Sequence, residues 1–461
     1  MVNVGLRGYI WEQKSIEHKV ARELWSLNRA SYGAYRAFVA HAKEHGFPDV
    51  ALAALTQQAA RGAGEDAAER VERSSGSAAS TLGALAAQPT PVFGFAGMKH
   101  IFDEGAAGAT VLRFGRLSSE LLAWGAADGT VRVATLADPP RLLHALRVPV
   151  QAAQGAALAP AAGAATQPDR EEGSAGGARG LAVTDLDWTL ENDRLVAAAE
   201  DGSICVWLVA TGQLLRAMSA GSPVRCCRFH QVNQNLVLVG TATGEVAAFN
   251  ANIGKPTKER ARLPSSGYAE GVAAAAMVAT PALLFVADSH GHVHTLRCEL
   301  LDGALRGLVP LARSVLPQDA RPVAVVSLQR VGYAAWTRGP TLLTSTADCR
   351  VCLYRQQDAS GRLEAVAAAQ MPRAARGIAA VLCPPVASGE LEHVAMGGED
   401  TGVYIWDVSR PGRPPAFVNK LQGHVAPVVH VSWSFDGQLL ASADCDGVVI
   451  VWRRERPAPV T

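Results

Sequence analysis

One phrase recurs along this chain of 461 residues: an apolar run, a turn built on Asp and Gly, then a β-branched run that closes on an aromatic side chain. Its clearest copies are Asp201-Gly202-Ser203-Ile204-Cys205-Val206-Trp207, Asp400-Thr401-Gly402-Val403-Tyr404-Ile405-Trp406 and Asp446-Gly447-Val448-Val449-Ile450-Val451-Trp452. In each, the turn Asp precedes the Trp by six residues. Asp-Gly between two apolar runs is a hairpin signal, and short β-branched runs are strands. Weaker copies run from Asp128 to Ala134, Thr243 to Phe249, His290 to Leu296 and Asp348 to Tyr354. The turn positions 128, 201, 243, 290, 348, 400 and 446 lie 73, 42, 47, 58, 52 and 46 residues apart. The long first interval contains an Ala/Gly/Pro-rich insert at 149–180, and without those 32 residues it shrinks to 41. Upstream of the last turn, Val428–Trp433 reads as a further strand closed by Ser434-Phe435-Asp436-Gly437, so each unit is an antiparallel meander.

Seven meanders at a period near 40–45 residues are the signature of a β-propeller. The expected fold class is all-β, a seven-bladed β-propeller over 92–455, with an N-terminal helical extension. That extension, 1–61, carries Val20, Leu24, Leu27, Tyr35, Phe38 and Val39 at helical spacing. Residues 62–91 read as a flexible linker, 149–180 as a disordered insert and 456–461 as a tail. Only nine residues follow Trp452, too few for an outer strand of the last blade. Residues near 93–102 are therefore expected to pair with that blade, which would shut the ring and cover a sheet edge.

The Gly423-His424 pair, Asp446 and Trp452 of the last unit, with Trp406-Asp407 of the sixth, resemble the WD-repeat family. The resemblance implies a hydrogen-bonded tetrad of His424, Ser442, Asp446 and Trp452, in which a buried carboxylate and a buried indole N–H satisfy each other's neighbours. Only the last blade keeps all four residues. The position of Ser442 is held elsewhere by Trp124, Ala197, Val239, Val286, Thr344 and Met396. The stretches Phe95–Asp103, Cys226–Leu236 and Asn419–Glu455 look like one nuclear, non-catalytic member of the family, which implies a nuclear location for this chain, with the cytoplasm as a second site.

Candidate chemistry is sparse. His290-Gly291-His292-Val293-His294 places alternate histidines on one strand face, where imidazoles can ligate a metal, but the reading favoured is a structural turn followed by exposed strand histidines. Cys349-Arg350-Val351-Cys352 has C-x-x-C spacing inside an expected strand, where the two thiols would face opposite sides, and Cys226-Cys227 reads as packing. No metal and no cofactor are expected. The chain has no G-x-S-x-G, no phosphate-cradling G-x-x-x-x-G-K-[ST] and no H-E-x-x-H. Asp128, Asp201, Asp348 and Asp400, with the strand-end residues Trp207 and Trp406, recur with the blade period, so they read as copies of one turn and not as a catalytic carboxylate cluster.

Forty-three basic against 42 acidic residues leave a net charge of +1, which argues against a chain-wide nucleic-acid binder or an acidic tail. The N-terminus shows no apolar signal-peptide centre, and the longest uncharged stretch, Gly271 to Ala287, is 17 residues divided by Pro281, too short for a membrane span. Eight cysteines are too few for a disulfide scaffold, so cytosol or nucleus is expected. With no catalytic constellation in view, the expected function is a protein-interaction scaffold that binds other proteins, without membrane association. The alternatives are a substrate receptor of a ubiquitin ligase, or a chromatin- or nucleic-acid-associated factor. Receptors of the first kind carry W-D-x-R, whereas here Trp406-Asp407-Val408-Ser409 has its Arg410 one place late.

Overall fold

The computed structural model describes residues 94–455 except 104–106, 117, 150–181, 265–271, 302–303, 316–322, 335–338, 359, 372–377, 385–392 and 409–414. The expected N-terminal helix, the linker, nearly all of the insert and the tail lie outside the described residues. The chain divides into two units, Met1–Val92 and Phe93–Thr461, and the second holds every described residue.

After β1 (Phe95–Phe102), the strands follow in blades of four. The first blade is β2 (Ala109–Phe114), β3 (Leu121–Ala126), β4 (Thr130–Thr135) and β5 (Arg141–Arg147). The second is β6 (Val183–Trp188), β7 (Arg194–Ala199), β8 (Ser203–Leu208) and β9 (Gln213–Ser219). The third is β10 (Val224–Phe229), β11 (Leu236–Thr241), β12 (Glu245–Asn250) and β13 (Lys255–Arg262). The fourth is β14 (Ala274–Ala279), β15 (Leu283–Asp288), β16 (His292–Leu301) and β17 (Ala304–Val315). The fifth is β18 (Val325–Ala334), β19 (Gly339–Thr346), β20 (Arg350–Gln356) and β21 (Leu363–Gln370). The sixth is β22 (Val381–Leu382), β23 (His393–Gly397), β24 (Gly402–Asp407) and β25 (Ala416–Gln422). The seventh is β26 (Val428–Trp433), β27 (Leu439–Asp444) and β28 (Val449–Arg454), completed by β1, so that seven four-stranded sheets form the seven-bladed propeller. The uncharged stretch 271–287 is β14 and β15 with the turn between them, and no helix among the described residues is long and apolar enough to cross a membrane.

Burial falls from the second strand outward. Every residue of β11, β15 and β27 is buried, because blades pack on both faces of these strands and water reaches neither. The outermost strands alternate: Lys255–Arg262 keeps four of its eight residues' polar side chains in solvent beside a buried Ala261. Stacking this close requires small side chains where one blade's second strand meets the next blade's inner strand. Three residues before each turn position stand Gly125, Ala198, Gly240, Ala287, Ser345, Gly397 and Ala443. A Cβ on Gly240 would lie 2.7 Å from Cys226 Sγ and 2.8 Å from Ala274 Cβ, and one on Gly397 would lie 2.3 Å from the Val428 carbonyl oxygen. At these seven positions a small side chain is therefore a packing requirement.

The inner strands leave an edge of unpaired N–H groups, and at three junctions the neighbouring blade caps it. Asp185 Oδ2 accepts from Cys227 N–H at 3.0 Å, Asp187 Oδ2 from Phe229 N–H at 2.9 Å and Gln329 Oε1 from Leu382 N–H at 2.7 Å. Ser345 Oγ accepts from Ala380 N–H, and across the closing seam Ser432 Oγ accepts from Phe114 N–H at 3.4 Å. The seam itself is β1, antiparallel to β28, with Met98 opposite Trp452 and Phe102 opposite Val449. Inner strands touch around the whole circle, β26 to β2 included.

The turn between the second and third strands needs a left-handed residue, which Gly supplies at 129, 202, 244, 291 and 447. Cys349 (φ 65°) and Thr401 (φ 64°) occupy that place in blades five and six. Cys349 therefore lies in a turn, not in the strand expected for it, and only Cys352 is on β20. A β-branched side chain is strained there. Thr401→Gly should raise the free energy of unfolding by about 1 kcal/mol, read as a higher urea midpoint; a lower midpoint would contradict the strain argument.

Candidate functional site

Because the strands alternate in direction, the turns after the second strands and the connections between blades emerge on one face of the ring. On that face the seventh blade carries a continuous chain of side-chain hydrogen bonds. His424, on the connection into β26, is buried with its Nδ1–H donating to Asp444 Oδ2 at 2.8 Å. Its Nε2 accepts from Ser442 Oγ at 2.7 Å, and Ser442 Oγ accepts from Trp452 Nε1–H at 2.8 Å. His424, Ser442 and Trp452 meet as the resemblance implies, but the fourth member is Asp444. Asp446 is exposed at the turn tip, and its backbone N–H donates to Asp444 Oδ1 at 3.1 Å. Asp444 ends β27 with its side chain toward the connection, whereas Asp446, two residues on, has left the strand and points to water.

The four aspartates at the other turn positions bond within their own blades. Asp128 Oδ1 accepts from the N–H of Thr130 at 3.0 Å and its hydroxyl at 2.6 Å, and Asp201 accepts the N–H of Ser203 on Oδ1 and its hydroxyl on Oδ2. Asp348 accepts from the Thr346 hydroxyl, and Asp400 from the Tyr404 hydroxyl and Lys420 Nζ. These acids are not brought together. Trp207 is buried between the first and second blades. Trp406 stacks on Tyr404 (centroids 6.1 Å apart) and meets the half-exposed Phe417 edge-on, but its buried Nε1–H has no partner among the described residues. Met396 stands where Ser442 accepts Trp452 in the last blade, which explains the orphan.

Two groupings escape sequence reading. Near the ring's axis, Asp185 is buried between Arg228 and Arg113, the latter at 3.0 Å, and Arg116 reaches Asp187 at 2.6 Å. Burial pushes the Asp185 carboxyl up, but Arg228, Arg113 and the Cys227 N–H outweigh it and hold the group below the ordinary range. In the fourth blade Asp288 Oδ1 accepts from the N–H groups of His290 and His292, both at 2.8 Å, while Oδ2 lies 3.0 Å from His292 Nδ1 and 2.8 Å from His294 Nε2. His292 and His294 are buried, contrary to the exposed strand expected for them, because the neighbouring blade covers β16. Hydrogen bonds from His294 and the two backbone groups overcome burial and bring Asp288 to about 2.

Several imidazoles are kept neutral. Burial lowers His424 and His393 against the pull of Asp444 and Asp407, and burial together with Arg113 lowers His430 to about 4. In the unfolded chain these groups protonate near pH 6.5, so below that pH the unfolded state binds more protons and stability falls. Thermal midpoints should drop by roughly 5 °C or more between pH 7 and pH 5; a flat or rising profile would contradict the burial of these rings.

Residues 176–207 and 416–453 match the family model described as WD domain, G-beta repeat. The ring is a seven-bladed propeller that carries WD repeats. The Denticleless protein homolog of Danio rerio is 22% identical over 302 residues, covering 60% of this chain and 45% of that protein. Echinoderm microtubule-associated protein-like 1 of Homo sapiens is 36% identical over 59 residues, 13% of this chain and 7% of that protein. The chain thus matches less than half the length of either relative. Among solved structures, the Cps50 (Swd1) β-propeller domain of Myceliophteria thermophila has a TM-score of 0.56 and 17% identity, covering 77% of this chain and 99% of that one, a likeness of fold alone.

Proposed function

We propose that this WD-repeat propeller is a non-catalytic scaffold that docks proteins or peptides on the face bearing the connection 423–427 and the turn 444–447, in nuclear assemblies. The observation that carries the reading is Val425, 85% exposed on a connection whose neighbour His424 is locked by Asp444 and Ser442. Holding an apolar side chain in water on a rigid support gains the fold nothing, and it is what a preorganised contact residue requires. Val315, 62% exposed at the end of β17, stands on the same face. The stretches 95–103, 226–236 and 419–455 resemble WD repeat-containing protein 13, which supports a nuclear setting.

Affinity capture with the full chain and two variants tests this. Val425→Asp should lose protein partners that Phe435→Asp, on the opposite face, keeps. Equal retention by both variants would reject the assigned face. Capture that collapses as salt is raised, together with direct binding to naked nucleic acid, would favour the chromatin reading instead.

A further inference from the structure

We infer that Asp288, His292 and His294 form a three-ligand site for a divalent transition metal of the zinc class. The side chains come together by local geometry: residues 292 and 294 share one face of β16, and the turn 288–291 folds Asp288 back against them. All three are buried, and one ligand atom from each lies within 4.8 Å of the others. One carboxylate and two imidazoles are a donor set that zinc accepts, with a fourth position left for water or another ligand.

The seventh blade provides the contrast. Asp444 performs the same turn-capping task with Oδ1 and needs a single imidazole at Oδ2. Asp288 also spends Oδ1 on two backbone N–H groups, yet two imidazole nitrogens converge on its Oδ2. The second imidazole is surplus to the turn. The backbone bonds to Oδ1 fix the carboxylate with Oδ2 facing the rings, the kind of support that orients a metal ligand. A tetrahedral ion with bonds of about 2.0–2.1 Å holds its ligands roughly 3.3 Å apart, so the 2.8 and 3.0 Å separations need to open by only about half an ångström.

Access is also built in. His294 lines a cavity of about 190 Å³ together with Leu296, Pro310 and Arg313. Arg313 Nη2 donates to His292 Nε2 at 2.7 Å, which directs the His292 Nδ1–H at Asp288. Metal ligation by Nδ1 requires that proton to move to Nε2 and the guanidinium to withdraw. Arg313 is exposed, so it can turn into water. It therefore opposes the ion, and its removal is predicted to strengthen binding.

The test uses the full chain after chelator treatment, titrated with Zn²⁺ by calorimetry and with Co²⁺ by visible absorption. The expected result is saturable uptake at one ion per chain with the absorption of tetrahedral Co²⁺. Asp288→Asn and His294→Gln should weaken uptake at least about tenfold, and Arg313→Gln should tighten it. Zn²⁺ should also raise the thermal midpoint of the unaltered chain and not that of Asp288→Asn, a readout that confirms the variant is folded. No saturable uptake, or uptake unchanged in the folded Asp288→Asn and His294→Gln variants, would overturn the assignment.

Discussion

Deleting residues 94–102 from the full chain should abolish its cooperative thermal transition or lower the midpoint by more than about 15 °C. β1 is the only strand of the seventh blade that comes from before the first, and its removal strips the outer ladder partners from Val449, Ile450, Val451 and Trp452, leaving those on β27. It also removes Phe102, 2% exposed and 5.4 Å from the Trp124 ring of the first blade. Phe95, 6.0 Å from Trp433, is lost with it. Truncating one buried Phe to Ala costs about 3–5 kcal/mol, while whole domains have only about 5–15 kcal/mol in hand. The bared edge of β28 then offers unpaired N–H and C=O groups to a second copy, so size-exclusion chromatography should show higher oligomers. Phe102→Ala alone should lower stability by about 3–5 kcal/mol without oligomerisation, separating core loss from edge exposure. A deletion variant that melts like the parent would mean that the ring does not depend on this seam.

The ring was legible because its determinants are local and repeated. Asp201-Gly202 or Asp446-Gly447 followed by a β-branched run specifies a hairpin within a few residues, and seven such hairpins at a near-constant period leave few architectures. The seam was legible for a different reason: a strand-like stretch around Phe93-Gly94-Phe95 stands before the first unit and belongs to no blade of its own. The axial network was not legible, since Arg113, Asp185 and Arg228 stand 72 and 43 residues from one another and only stacking of three blades joins them. The burial of His292 and His294 was missed because alternation along a strand says which residues share a face, not whether a neighbouring blade covers that face. Asp288 was missed with them, lying outside the His-x-His pattern.

The tetrad acid turned on a choice between two aspartates flanking one turn. Asp128 and Asp201 fix the repeat's register and cap their own turns, and two residues earlier those blades carry Ala126 and Ala199. The last blade carries an acid at both places, so spacing alone cannot separate Asp444 from Asp446.

Stability can separate them. Asp444→Ala should lower the free energy of unfolding by about 2–4 kcal/mol, because the buried His424 Nδ1–H and the N–H groups of Asp446 and Val448 all lose their acceptor. Asp446→Ala should stay within about 0.5 kcal/mol of the parent, since its carboxylate is exposed and the N–H groups of Asp446 and Val448 bond Asp444. Ser442→Ala removes the link between His424 and Trp452 and should cost about 2–3 kcal/mol. Combined with Asp444→Ala, its effect should fall short of the sum, because both changes strand the same imidazole. Urea midpoints of the four variants give the answer directly. If Asp446→Ala were the more damaging single change, the hydrogen-bonded order His424, Asp444, Ser442, Trp452 would have to be abandoned. The rigid support on which Val425 stands would go with it, since that connection is held to the blade through His424.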